Sequence, residues 1–194
     1  MAGPRSRVTL LLLLLIVGIV IGAGAASSMS RTVVLTTTQT WFTATTVVQR
    51  DVLEVCFSRT EECDRLIISL IERASSSVLV AVFSFTSDPL AEALINAHRK
   101  GITVRVLVER LNANQTGSEY MRLRNSGLDV KLDGNSNSMH HKFVVIDGTI
   151  VITGSYNFSR AAEAENDENV VVINDAGVAR SFTSEFERMW AIAR

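Results

Sequence analysis

The stretch from Met139 to Phe158 reads MHHKFVVIDGTIVITGSYNF. Two short apolar runs flank Asp147-Gly148, with His140-His141-Lys142 before them and Gly154-Ser155-Tyr156-Asn157 behind. Asp-Gly between two runs rich in β-branched residues is a hairpin signal, so Lys142–Ile146 and Ile150–Thr153 are expected as strands about a turn. Side chains alternate along a strand, which puts His140 and Lys142 on one face and His141 and Phe143 on the other. His141 is accordingly expected to pack rather than to react.

Outward from this hairpin the periodicity alternates between strand and helix. Upstream, strands are expected at Val52–Phe57, Ser77–Phe85, Thr103–Val108 and Asp129–Leu132. Helices fall between them at Glu61–Ala74, from Asp88-Pro89 to Lys100, and at Ser118–Asn125, with Asp88 as N-cap and Pro89 at the first helical position of the second. Downstream come a short helix from Ser159, a strand at Asn169–Ile173 and a closing helix at Asp175–Ile192, whose Phe182, Phe186 and Trp190 form a core stripe. Such alternation predicts an α/β domain, a sheet with helices on both faces.

The residues around the hairpin suit phosphorus chemistry. An imidazole beside a fixed ammonium can attack phosphorus while the cation offsets charge on the non-bridging oxygens. Ser155 and Asn157 add a hydroxyl and an amide donor, and Glu168 is placed to accept the other N–H of His140 and fix its tautomer. Glu163, Glu165 and Asp167 read as a solvated helix face and loop. No metal site or cofactor is expected.

The spacing H-x-K-x4-D-x6-G-S-x-N, filled by His140, Lys142, Asp147, Gly154, Ser155 and Asn157, resembles the HKD signature of the phospholipase D superfamily. With Val55-Cys56-Phe57, Ser84-Phe85-Thr86-Ser87 and Asn166-x-Glu168-Asn169, residues 52–192 look most like the single-motif branch of bacterial endonucleases and mitochondrial Zucchini-type proteins. The resemblance implies a phospholipase D-like mixed sheet with one HKD motif per chain. It also implies His140 as the phosphohistidine-forming nucleophile in one subunit and general acid in the other, Lys142, Ser155 and Asn157 as phosphate-binding residues, and Glu168 as the acid that orients the histidine. Asp147 belongs to the same catalytic set by position, although its counterpart in short members looks structural. Only His98, His140 and His141 supply imidazole, so a two-fold homodimer that brings two copies of His140 together is expected.

Composition bounds the rest. The 194 residues suit one domain plus an appendage, and a net charge of −1 excludes a bulk polycation that holds nucleic acid by charge alone. Residues 1–50 carry Arg5, Arg7, Arg31 and Arg50 and no acid, so residues 51–194 hold fifteen bases against twenty acids, a net of −5. A local basic groove is therefore expected from Arg110, Arg122, Arg124, Lys142 and Arg160. After a basic segment at 1–7, the nineteen nearly all apolar residues Val8–Ala26 are long enough to cross a bilayer. They read as a signal anchor, with a signal peptide cleaved near Ala23-Gly24-Ala25 as the alternative. Residues 27–50 read as a Thr-rich linker, with Trp41-Phe42 expected to pack, and 51–194 as an extracytoplasmic catalytic domain, secreted if the leader is cleaved. There Cys56 and Cys63 are candidates for a disulfide, two partly buried thiols being the alternative, and Asn114-Gln115-Thr116 is a glycosylation sequon. The expected activity is metal-independent phosphodiester hydrolysis, as an endonuclease on DNA or RNA. The alternatives are a phospholipase acting on head groups of the anchoring membrane and a surface nucleic-acid-binding or uptake module.

Overall fold

The computed structural model describes residues 51–194. The expected leader and linker, with Trp41-Phe42, lie outside the described residues. Seven strands form one sheet: β1 (Asp51–Phe57), β2 (Ser77–Val82), β3 (Thr103–Val108), β4 (Asp129–Leu132), β5 (Lys142–Ile146), β6 (Ile150–Gly154) and β7 (Asn169–Asn174). Their spatial order is β1-β7-β6-β5-β2-β3-β4. The β2–β3 and β3–β4 pairs run parallel, and every other pair runs antiparallel.

Strand alternation builds the two cores. Val78, Val80 and Val82 of β2, Val104, Val106 and Val108 of β3, and Val144 and Ile146 of β5 face one side. There they meet α1 (Cys63–Glu72), α2 (Asp88–Arg99), α3 (Tyr120–Asn125) and α4 (Arg160–Ala164) through Ile67, Ile71, Leu90, Leu94, Leu123 and Ala162. The intervening Leu79, Ala81, Leu107, Phe143, Val145 and Val151 face the other side, where the long α5 (Ala176–Ile192) covers them with Ala179, Phe186, Met189 and Trp190. Each such buried aliphatic side chain contributes about 1.5–3 kcal/mol. The expected α/β sheet with helices on both faces is thus observed.

Three local expectations differ. Ser87, not Asp88, caps α2: its backbone is extended and its hydroxyl accepts from Leu90 N–H, while Asp88 is already helical and Pro89 occupies the second helical position. Strand β2 ends at Val82 rather than Phe85, because Ser84 N–H turns to the side-chain oxygen of Asn157 and Phe85 makes only an isolated bridge to Phe158. Arg110–Asn112 forms a 3-10 turn that hydrophobic periodicity does not signal.

The expected hairpin turn has Asp147 and Gly148 both at positive φ, 52° and 64°. Cys56 and Cys63 are joined by a disulfide between the end of β1 and the start of α1. No helix among the described residues is long and apolar enough to cross a membrane.

Candidate active site

One end of the sheet gathers the chemistry. The C-terminal ends of β1, β2, β3 and β6 and the N-terminal ends of β5 and β7 meet there, so the loops carrying His140, Ser155, Asn157 and Glu168 converge. His140 is exposed, just ahead of β5. Lys142 Nζ lies 3.1 Å from His140 Nδ1 and 2.9 Å from its carbonyl oxygen. An ammonium can only donate, so Nδ1 is the acceptor in this contact. Burial pulls the Lys142 ammonium below the usual lysine range, against the opposing charge of Glu168.

Beneath this pair lies Phe83, which the sequence reading missed. Its ring centroid is 4.4 Å from that of His140 and 5.0 Å from Lys142 Nζ, a cation–π geometry. Its backbone N–H donates to His141 O at 3.0 Å, one step beyond the β2–β5 ladder. The sequence placed it inside the expected strand Ser77–Phe85, where nothing set it apart from core.

The Gly154-Ser155 turn is forced close to β7. A Cβ on Gly154 would lie 2.0 Å from the Asn169 carbonyl oxygen, a space no side chain can share. Ser155 N–H donates to that same oxygen at 3.1 Å. The Ser155 hydroxyl is held by Glu168, whose other carboxylate oxygen accepts from Asn166 Nδ2 at 3.0 Å. Glu168 therefore differs from expectation: it holds Ser155 and Asn166, while the His140 Nδ1 is engaged by Lys142. Asn157 Oδ1 accepts from Ser84 N–H at 3.2 Å, which leaves its amide N–H groups as the donors it can offer.

Asp147 lies apart from these groups. It sits at the opposite end of β5 from His140, seven residues on and about 23 Å away at strand rise. Its carboxylate accepts from the N–H groups of Ser75, Ser76 and Ser77 and from the hydroxyls of Ser75 and Ser76. Although burial opposes ionisation, these bonds hold it well below the usual carboxylate range. It is a structural residue tying the hairpin turn to β2.

The other expectations sort as follows. His141 turns away, with Nε2 3.4 Å from Glu185 on α5 and its ring against Phe143. His98 lies in the last turn of α2, at the end of the sheet where β3 begins. Arg122 is engaged by Glu119, Glu92 and Asp88, and Arg124 lies over Tyr120, so of the expected groove Arg110, Arg160 and Lys142 remain at the site end. Glu163 is not a solvated residue: it accepts from Tyr156 Oη at 2.7 Å and from Asp64 N–H at 3.2 Å, and burial raises its pKa against the hydrogen bond from Tyr156.

The disulfide-closed loop reaches the site as well. Ser58 Oγ donates to Asn166 O and accepts from Glu168 N–H, both at 2.8 Å, and Ser58 N–H donates to Glu168 O at 3.1 Å. Glu109, another missed residue, is 1% exposed. Its two oxygens accept from Leu111 N–H at 3.1 Å and Met139 N–H at 2.6 Å.

Residues 67–190 match the family model described as cardiolipin synthase, PLD-like domain. A mitochondrial cardiolipin hydrolase of Xenopus laevis is 40% identical over 126 residues, covering 65% of this chain and 60% of that protein. A phospholipase D of Rickettsia felis is 35% identical over 133 residues, covering 69% of this chain and 66% of that protein. The chain thus spans about three-fifths of the length of the first of these curated relatives. The crystal structure of Nuc, a phospholipase D family member from Salmonella typhimurium, is similar with a TM-score of 0.70 and 30% identity over 75% of this chain and 97% of that one. NucT from Helicobacter pylori gives a TM-score of 0.67 and 27% identity over 72% of this chain and 96% of that one.

Proposed function

Since the chain belongs to the phospholipase D-like family, we propose that it is a metal-independent phosphodiesterase that cuts nucleic acid, DNA first, as a homodimer. The observation that carries this reading is the open site: His140 stands exposed at the sheet end, beside Lys142, with hydroxyl and amide groups of Ser84, Gln115, Ser155 and Asn157 in the surrounding loops. An exposed polar rim with a central cation accommodates a polymer backbone that passes across it.

In this mechanism a phosphodiester oxygen, a stronger acceptor than imidazole, draws the Lys142 ammonium off His140 Nδ1. Asn157 N–H takes part of the remaining non-bridging oxygen charge, and the Ser155 hydroxyl joins it by turning its single proton from Glu168 to a phosphate oxygen. The ring nitrogen of His140 forms a bond to phosphorus as the bond to the leaving oxygen breaks, and that oxygen takes its proton from His140 of the partner subunit. Water then attacks phosphorus in line, gives its proton to the partner's His140, and releases the first histidine. One imidazole per subunit serves both roles only if two subunits meet at this face.

Incubating the full chain with plasmid DNA in excess EDTA tests the reading. Nicking by the wild type and none by His140→Ala is the expected result; activity that disappears with EDTA and returns with magnesium overturns the mechanism. A second reading, phospholipid hydrolysis, is favoured by the names of the two curated relatives and by Leu111, which is 72% exposed beside Arg110 at the site end. Formation of phosphatidic acid from cardiolipin vesicles without any nick in plasmid would decide for it. The disulfide supports placing residues 51–194 in an oxidising, extracytoplasmic compartment behind an anchor at 8–26.

A further inference from the structure

His140 is held in place by its backbone more than by its side chain. The ring is exposed, and its contacts with Phe83 and the Lys142 ammonium must accommodate a substrate. The chain on either side of it is fixed from the end of β3. On one flank, Met139 N–H donates to Glu109 Oε2 at 2.6 Å. On the other, His141 O accepts from Phe83 N–H at 3.0 Å, and Phe83 O in turn accepts from Asn112 Nδ2 at 2.8 Å. Glu109 and Asn112 bracket the same 3-10 turn, which Glu109 Oε1 closes through Leu111 N–H and which Asn112 N–H closes on Glu109 O at 3.0 Å. Glu109 N–H donates to Val82 O at 3.2 Å, anchoring the whole turn to β2.

We infer that Glu109 is a positioning residue for His140, and that with Asn112 it clamps the backbone on both sides of the nucleophile. The chemistry of the group supports this assignment. A carboxylate at 1% exposure is costly to bury, and it is retained where two N–H groups must be accepted at once. Glutamine offers one acceptor and one donor, so a glutamine here would set an NH2 group against either Met139 N–H or Leu111 N–H. An error of about 1 Å in a reacting atom costs on the order of a hundredfold in rate, and an exposed ring lying against Phe83 gives little packing to correct one. The inference rests on the reading of His140 as the nucleophile.

The test uses the full chain and bis(p-nitrophenyl) phosphate, a phosphodiester that presupposes neither DNA nor lipid. Wild type, Glu109→Gln, Asn112→Ala and His140→Ala are compared for kcat, KM and thermal midpoint, with kcat counted per folded protein. Glu109→Gln is expected to lower kcat about 10- to 100-fold with KM changed less than about twofold, and Asn112→Ala to lower it by a smaller factor. A merely structural role would reduce the folded fraction and the thermal midpoint while leaving the turnover of the folded fraction intact. Folded Glu109→Gln with wild-type kcat overturns the clamp. Should Glu109→Gln fail to fold, Asn112→Ala decides, since its side chain is only half-buried: a kcat loss at constant KM supports the clamp, and unchanged kcat overturns it. Activity retained by His140→Ala overturns the functional reading itself, a result separate from a silent Glu109 in a chain that His140→Ala inactivates.

Discussion

At the scale of single residues, the motif positions divide by the end of the sheet they occupy. His140, Lys142, Ser155 and Asn157 were legible as a set because the motif spacing specifies them, and Glu168 through the later Asn166-x-Glu168-Asn169. Phe83 and Glu109 were not, because each reaches the site through a strand pairing that only the three-dimensional order creates. The partners of Asp147 were hidden for the same reason: the serines that bind it lie about seventy residues upstream. Asp147→Ala should leave kcat unchanged and cost about 2–4 kcal/mol of stability at neutral pH. Because the folded carboxyl titrates below its unfolded value, that contribution is present above about pH 4 and fades as pH falls toward the folded value. Denaturant titrations of wild type and Asp147→Asn across that window check it; parallel curves would remove the assignment. The depressed Lys142 ammonium makes a second prediction: activity that needs the cation is lost as pH rises through a value below the ordinary lysine pKa of about 10.4. In a kcat/KM profile this alkaline limb should move to higher pH in Lys142→Arg, and a limb that stays in place belongs to another group.

Among the elements, those with a clear period came through almost unchanged. Strands β3, β4 and β5 and the start of α4 matched their expected bounds, because apolar alternation and a Ser cap are local signals. The shortened β2 was decided instead by side-chain amides from elsewhere, Asn157 on Ser84 N–H and Asn112 on Phe83 O, and the 3-10 turn by the Glu109 carboxylate on Leu111 N–H. Close approach of β6 to β7 makes Gly154 the most sensitive position of its element. Gly154→Ala should cost about 3 kcal/mol or more, as the backbone oxygen of Asn169 cannot yield without parting the strands. It should also lower activity by displacing Ser155, and melting curves with kinetics on the soluble variant check both. The disulfide closes a short loop between residues seven apart, for which chain entropy gives a stabilisation of about 2.5 kcal/mol. Cys56→Ser with Cys63→Ser should lose about that much in chemical denaturation, and a loss near zero would show that Ser58 and its partners hold the loop unaided.

For the whole molecule, the decisive numbers are one His140 per chain and a described domain of net charge −5. Mixing wild type with inactive His140→Ala under subunit exchange should leave about one quarter of the activity at equal fractions, the quadratic signature of a site that needs both copies; a linear fall to one half would mean each chain works alone. The fold class was readable because alternation of strand and helix is a chain-wide pattern, whereas the identity of the polymer was not, since it depends on which cations stay unpaired. With Arg122 and Arg124 engaged elsewhere, Arg110, Arg160 and Lys142 limit the charge a backbone meets at the site end. The salt slope of log kcat/KM on DNA should therefore be near −3 per subunit. The Cys56–Cys63 bond has one more consequence, for proteolysis. Arg59 and Thr60 are exposed in the loop that this bond closes, so a trypsin-like cut after Arg59 severs the peptide chain without separating its halves. The nicked protein would run as one species on a non-reducing gel and as two after thiol treatment. The segment N-terminal to the cut stays tethered through sulfur until a reductant reaches it.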